Sequence, residues 1–408
     1  MKALGPIPPE FTAKEGELAI GGRTASELVK EAGDTPLFVY SRAIIEQRIG
    51  DLRKAMPERL KIHFAMKANP YGLLLEFMAD LVDGLDIASA GELEQAREAG
   101  YLPREISFAG PGKRDRELFA AIRAGVTLNL ESANEAERAL QIGKQLGIAP
   151  RLAIRVNPPF ELRGSGMKMG GGAKPFGVDA DRVPTLARTI VDAGANWRGF
   201  HIYSGSQALD AEALIEAQGH VLDLAAQLAG EAGVEVPHLN MGGGFGIPYF
   251  DKDTPLDVAA IGVALEKRFA DLPGVLKDTQ FAIELGRYLV GEAGVYLTRI
   301  VDRKVSHDTT YLVTDGGLHH QLAASGNFGT VVRRNYPVAI ATRFDAEPEE
   351  EVNVVGCLCT PLDRLADAAH LPRAEVGDLV AVFCAGAYGA SASPATFLGQ
   401  GPALEMLV

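Results

Sequence analysis

Between about residues 35 and 297 the chain repeats one rhythm, a short β-branched or apolar run followed by a longer amphipathic stretch. Strands are predicted at 60–66, 84–87, 106–109, 128–130, 152–156, 199–202, 238–241 and 280–285. Helical spacing occupies 91–99, 114–124, 133–146, 182–193, 211–229 and 259–269. Eight strands separated by helices over roughly 250 residues have the size and order of an α/β (β/α)8 TIM barrel. An open doubly wound sheet is the alternative with the same period. Past Gly294 the rhythm changes, with strand-like runs at 295–305, 310–314, 337–342, 351–356 and 378–383 and little helix between them. This is the pattern of a separate, mainly β domain. The expected division is 36–295 for the barrel, and 1–35 plus 296–408 for the β domain.

Composition narrows the classes. At 408 residues, 47% hydrophobic and 23% charged, the chain reads as globular, with enough length for two cores. A net charge of −13 argues against nucleic acid or an anionic membrane as main partner. Cys357, Cys359 and Cys384 are an odd set of cysteines near the C-terminus, which points to a reducing compartment rather than a disulfide framework. Neither their spacing nor a histidine cluster suits a metal. The N-terminus lacks the apolar core of a signal peptide and no apolar run spans a bilayer, so the expected location is the cytoplasm.

Within that frame Lys67 stands out, in His63-Phe-Ala-Met-Lys-Ala-Asn-Pro70. An apolar run delivers one lysine to a strand's C-terminal end, where barrel enzymes place their chemistry. Partial burial at such a position makes an amine a nucleophile toward carbonyls, including the aldehyde of pyridoxal phosphate. A strand-end charge reaching water is the bland alternative. Met241-Gly-Gly-Gly-Phe-Gly-Ile247 follows the seventh strand; its glycines let backbone N–H groups converge on an anion, or simply make a tight turn. Glu284, at the end of the eighth strand, can keep a pyridine nitrogen protonated, and Arg287 offers a fork for phosphate or carboxylate. A local ion pair between the two is the competing reading. His201-Ile-Tyr-Ser-Gly-Ser-Gln207 supplies a core histidine, an aromatic face at Tyr203, and hydroxyl and backbone donors up to Ser206. Asp86 and Arg155 are charged residues in apolar strands, which calls for partners. In the β domain Cys359 is a candidate proton donor within Gly356-Cys-Leu-Cys-Thr-Pro-Leu-Asp363.

Together, and in this order, these motifs resemble the fold-type III pyridoxal-phosphate decarboxylases that act on diaminopimelate, ornithine and arginine, with alanine racemase a more distant relative. The resemblance implies an alanine-racemase-like barrel with pyridoxal 5'-phosphate bound through Lys67. By the same likeness Gly243, Gly244, Gly246 and Ser206 hold the phosphate, and His201, Tyr203 and Gly286 line the cofactor. Glu284 faces the ring nitrogen, with Asp86 and Arg155 in support. Arg287 and Tyr388 reach phosphate or substrate. It further implies a homodimer with shared active sites, in which Cys359, Thr360 and Asp363 enter the partner's site. Two departures bear on chemistry. Tyr203 stands where the family commonly stacks histidine. Thr360 stands where diaminopimelate and ornithine decarboxylases carry an acid for the substrate's distal ammonium. The Cys-Thr-Pro-Leu-Asp string resembles a subgroup acting on carrier-protein-tethered glutamate, and decarboxylases found beside exopolysaccharide and exosortase gene clusters. The expected activity is PLP-dependent decarboxylation of an amino acid or a carrier-bound aminoacyl group. A diaminopimelate, lysine or ornithine decarboxylase proper, or a racemase on the same scaffold, are the alternatives. Arg333 and Arg334 are candidates for the phosphate of a phosphopantetheine arm, with solvated surface arginines as the plain alternative.

Overall fold

The computed structural model describes residues 1–326 and 333–408. The chain divides into two compact units: 49–246 with 255–285, and 1–48 with 247–254 and 286–408.

The first unit is a closed eight-stranded parallel barrel. Its strands are β1 (Leu60–Ala65), β2 (Gly84–Ile87), β3 (Ile106–Phe108), β4 (Thr127–Leu130), β5 (Arg151–Asn157), β6 (Asn196–Ile202), β7 (His238–Asn240) and β8 (Gln280–Leu285). Each pairs with the next, and β8 closes on β1 from Phe281 opposite Leu60 to Leu285 opposite Phe64. These are the eight strands expected from the sequence. They are legible because strands covered on both faces are near-continuous apolar runs. Phe64, Phe108, Phe200 and Phe281 are fully buried among them.

The helices begin and end where local chemistry tells them to. Helix Ala133–Leu146 starts where the Ser132 hydroxyl accepts from the Glu135 N–H, and stops at Gly147 with φ 66°. Its buried stripe is Ala136, Ala139, Ile142 and Gly143. Alternation along the strands decides the barrel's interior. His63 on β1, Asn129 on β4, Arg155 on β5, Asn240 on β7 and Glu284 on β8 form a polar ladder, where barrels more often carry branched aliphatics.

The second unit is built around strand Gly294–Ser306. It pairs antiparallel with Thr309–Thr314, Leu379–Val382 and Leu37–Tyr40. Thr309–Thr314 runs parallel to Glu350–Val355, which pairs antiparallel with Arg364–Leu371. Tyr296 and Phe38 are fully buried, with ring centroids 4.8 Å apart. The division differs from the expected one at its edges. Residues 36–48, 247–254 and 286–295 go with the β unit, because Leu37–Tyr40 finds its partners in Gly294–Leu297 and Leu404–Leu407. Such sequence-remote pairing leaves no local signal.

Candidate active site

At the C-terminal end of the barrel, Glu284 is buried and fixed from two sides. The Asn240 side-chain amide donates to its carboxylate at 3.0 Å, and His201 Nε2 lies 3.1 Å away. Burial opposes ionisation, but His201, Lys67 and Arg155 outweigh it and hold the carboxyl at about 2. Glu284 is therefore a fixed negative charge throughout the working pH range.

Asp86 on β2 behaves oppositely. Burial and the Glu284 charge push its pKa up, against the pull of His63, whose Nδ1 is 3.4 Å away. Both Asp86 carboxylate oxygens are buried without a hydrogen-bond partner. Burial opposes charge on His63, yet the Asp86 carboxylate prevails and raises its pKa. Their surroundings thus shift two nearby carboxylates in opposite directions.

Lys67 sits on a single 3-10 turn, Met66–Ala68, directly after β1. The turn carries the side chain past the strand end, so it is exposed rather than partly buried. Its ammonium lies 6.0 Å from the Tyr203 ring centroid. The Ser206 hydroxyl is buried and unpartnered, on the two-residue strand Gly205–Ser206 that pairs with Met167–Lys168. After β7 the glycine loop comes close to β8: a Cβ on Gly243 would sit 2.0 Å from the Glu284 carbonyl oxygen. A Cβ on Gly244 would meet Gly205 at 2.8 Å, and one on Gly246 would meet Ala208 at 2.9 Å. Only glycine fits this approach.

Arg155 is paired with Glu131 at 2.9 Å, both buried. Glu131, which the sequence reading missed, also accepts from the N–H groups of Gly110 and Gly177, joining three segments around Arg155. Beneath it Lys113 donates to Glu135 at 2.6 Å and to the Gly110 and Asn129 carbonyls. His63 and Asn240 were missed as well. The signals were a carboxylate at a strand's end for Glu131, and for the other two inward alternation with Lys67 and Glu284.

Burial opposes Glu131 ionisation, but Arg155 and the backbone donors lower its pKa. A depressed carboxylate stabilises the fold above its unfolded pKa of about 4.3, and the contribution fades as pH falls through the folded value. Glu131→Gln is expected to cost about 3–5 kcal/mol at neutral pH by leaving Arg155 uncompensated. Urea unfolding at a series of pH values should show the gap to the parent chain closing below about pH 4. A variant as stable as the parent at pH 7 would refute this account.

In the β unit the Arg287 guanidinium donates to the Tyr249 hydroxyl at 2.6 Å and lies 4.8 Å from the Tyr388 ring centroid. Gly286 immediately precedes this short helical turn, Arg287–Val290. Tyr388 has φ 58°, a left-handed conformation that costs a non-glycine residue energy and marks it for attention. Cys359 is exposed and Thr360 half-buried in the loop 356–363. Asp363 is buried instead, its two oxygens accepting from the Leu318 and Leu358 N–H groups at 2.7 and 2.8 Å. It thereby orders the loop. Arg333 lies 3.1 Å from Asp367, and the Arg334 guanidinium covers the Phe250 ring at 3.6 Å. The two arginines are thus engaged within the unit.

This barrel end has the right parts for an electron-withdrawing pyridine cofactor, and comparison with known proteins decides the matter. Residues 42–291 match the model of the pyridoxal-dependent decarboxylase family, in its pyridoxal-binding domain. The chain belongs to that family. It is 34% identical over 384 residues to the L-glutamyl-[BtrI acyl-carrier protein] decarboxylase of Niallia circulans, covering 92% of this chain and 89% of the relative. It is 35% identical over 385 residues to the diaminopimelate decarboxylase of Archaeoglobus fulgidus, covering 93% and 89%. Among solved structures, the diaminopimelate decarboxylase of M. jannaschii in co-complex with L-lysine superposes with a TM-score of 0.86 at 26% identity, covering 98% of this chain and 93% of that one. This pyridoxal-dependent decarboxylase is accordingly a carboxy-lyase of the alanine-racemase-like fold. Among the described residues no helix is long and apolar enough to cross a membrane.

Proposed function

We propose that the chain decarboxylates an amino acid whose far end carries no free ammonium, with carrier-protein-bound glutamate as the leading substrate. The observation that carries this is the loop 356–363. Thr360 occupies the position next to Cys359, and the one carboxylate of the segment, Asp363, is buried and engaged by backbone N–H groups. A distal ammonium brought to this loop lacks a counter-charge there, and an unpaired charge in a dry site is costly. The similarity to the glutamyl-carrier decarboxylase points the same way. The many similar diaminopimelate decarboxylases support the second reading, free diaminopimelate.

The barrel residues fit pyridoxal phosphate. Ser206 brings an orphaned hydroxyl and Asp86 two orphaned carboxylate oxygens, while Gly243, Gly244 and Gly246 leave backbone room for a phosphate. When bound, the cofactor supplies an aldehyde for covalent attachment and a ring that withdraws electrons from the substrate's α-carbon. Lys67 would supply the amine for that attachment. Glu284, kept ionised by His201 and Asn240, holds a proton on the ring nitrogen. Tyr203 offers a stacking face but not a charge. Arg155, pinned by Glu131, would contribute a fixed cation to the pocket that holds the cofactor. The substrate loses its carboxylate as carbon dioxide, and Cys359 of a second copy gives the replacing proton to the α-carbon. This reading requires a homodimer, with Cys359, Thr360, Arg287 and Tyr388 shaping the substrate side, in a cytoplasmic setting that keeps the thiols reduced.

The test is a panel of free diaminopimelate, lysine, ornithine and glutamate against a glutamyl-carrier conjugate, scoring carbon dioxide. The conjugate should lead in kcat/KM by at least about a hundredfold. Preference for diaminopimelate hands the site to the second reading. Inversion of an amino acid without gas release would identify a racemase.

A further inference from the structure

The opposite, N-terminal end of the barrel opens into a cavity of about 610 Å³, whose inner wall reaches His63 and Asn240 and whose other lining residues lie outside the decarboxylase site. Small polar side chains, Ser107, Thr127 and Gln280 among them, leave it open where a barrel is usually filled. Its mouth carries Lys61, Arg104, Arg151 and Arg198 against two carboxylates, Asp83 and Glu105.

Those carboxylates are already satisfied. Asp83 pairs with Arg53 at 3.0 Å and Lys61 at 3.2 Å and accepts from the Ile62 N–H. Glu105 lies 3.7 Å from Arg104 and accepts from the Leu102 N–H. Among the described residues Arg151 and Arg198 have no ion-pair partner, and the buried Arg151 Nε has no hydrogen-bond acceptor. Burial and the Arg198 charge push the Arg151 guanidinium's pKa down, the mark of like charges held together. His238, forced by burial to about 3, adds no charge but leaves a polar ring on the wall.

The backbone is bent to make this arrangement. Along β6 the register with β5 skips between Trp197 and Gly199, so Arg198 is the extra residue of a β-bulge. Gly199 permits it with φ 101°, where a Cβ would lie 2.1 Å from the His238 carbonyl oxygen. Bulges re-aim side chains and cluster near working sites.

We infer that the N-terminal mouth of the barrel is a second binding site, in which Arg151 and Arg198 clamp a small oxyanion such as a phosphate ester or a polycarboxylate. Two unpaired guanidinium forks are the donors such groups need, and the cavity has room for the molecule bearing them.

The experiment uses the dimeric or monomeric holoenzyme as purified, loaded with pyridoxal phosphate so that the cofactor's own phosphate cradle is filled. Inorganic phosphate and citrate are titrated by calorimetry and by thermal unfolding, against sodium chloride at matched ionic strength. Saturable binding of either probe, with a rise in Tm beyond the chloride control, is expected. Arg151→Gln and Arg198→Gln should each weaken it at least about tenfold. Arg198→Lys, which keeps the charge and the packing, should retain part of the affinity and guards against misfolding of the glutamine variants. Phosphate leading assigns a phosphate ester, and citrate leading a polycarboxylate. Binding of neither probe, or affinity unchanged in both glutamine variants, overturns the inference.

Discussion

Lys67→Ala should abolish the absorbance of lysine-linked cofactor and lower kcat/KM by more than about a thousandfold. The size of the effect follows from what is removed. The amine is the proposed nucleophile, on a turn that fixes it at the end of β1, with Tyr203 beside it. Among the described residues the other groups converging there, Asp86, Glu284, His63, His201 and Arg155, include no primary amine to take its place. The fold should survive, since Lys67 is exposed and its removal leaves no cavity. Borohydride reduction of the parent holoenzyme, followed by peptide mapping, should place the cofactor tag on the peptide containing Lys67. A tag elsewhere, or an alanine variant with parental turnover, would remove Lys67 from the chemistry.

The second large effect is expected at Glu284. Glu284→Gln keeps the shape and the contact with Asn240 while deleting the charge. Without that charge nothing holds the ring nitrogen's proton, and kcat should fall by about 10²–10⁴. Cofactor affinity should change far less, because the glycine loop and Ser206 are left in place. The same change frees Asp86 from its main charged antagonist, so the Asp86 pKa should drop toward the ordinary carboxylate range. Single-turnover carbon dioxide release measures the first effect, and pH titration of carboxyl signals in the isolated variant measures the second. Equal losses in cofactor binding and in kcat would mean that Glu284 serves as scaffold only.

How much of this was legible in the residues depended on whether the signal was local. The barrel strands announced themselves because burial on both faces forces apolar runs such as Phe281-Ala-Ile. Strand Arg364–Leu371 did not, since it is rich in alanine and interrupted at Ala368, where φ is 45° and the pairing with Glu350–Val355 slips. Leu37–Tyr40 fell inside the span expected for the barrel, yet its partners lie some hundreds of residues away in the chain. Lys67 and Glu284, the residues proposed to carry the chemistry, drew notice for the same local reason, standing at or just past a strand's end. Glu131 was not singled out, because nothing in Leu130-Glu-Ser132 discloses that Gly110, Arg155 and Gly177 all converge on it. Asp363 shows the converse. The family resemblance implied a substrate contact for it, whereas a Cβ on Gly317 or Gly356 would lie 2.1 or 2.3 Å from its carboxylate, the signature of a buried anchor.

The near-zero clearance between Gly243 and the Glu284 carbonyl constrains how such an enzyme can diversify. Any side chain at 243 displaces the strand end that carries the acid, so drift in this glycine loop disturbs Glu284 first. Variation that admits new substrates therefore falls more readily on exposed positions of the loop 356–363, such as Pro361 and Leu362, than on this contact.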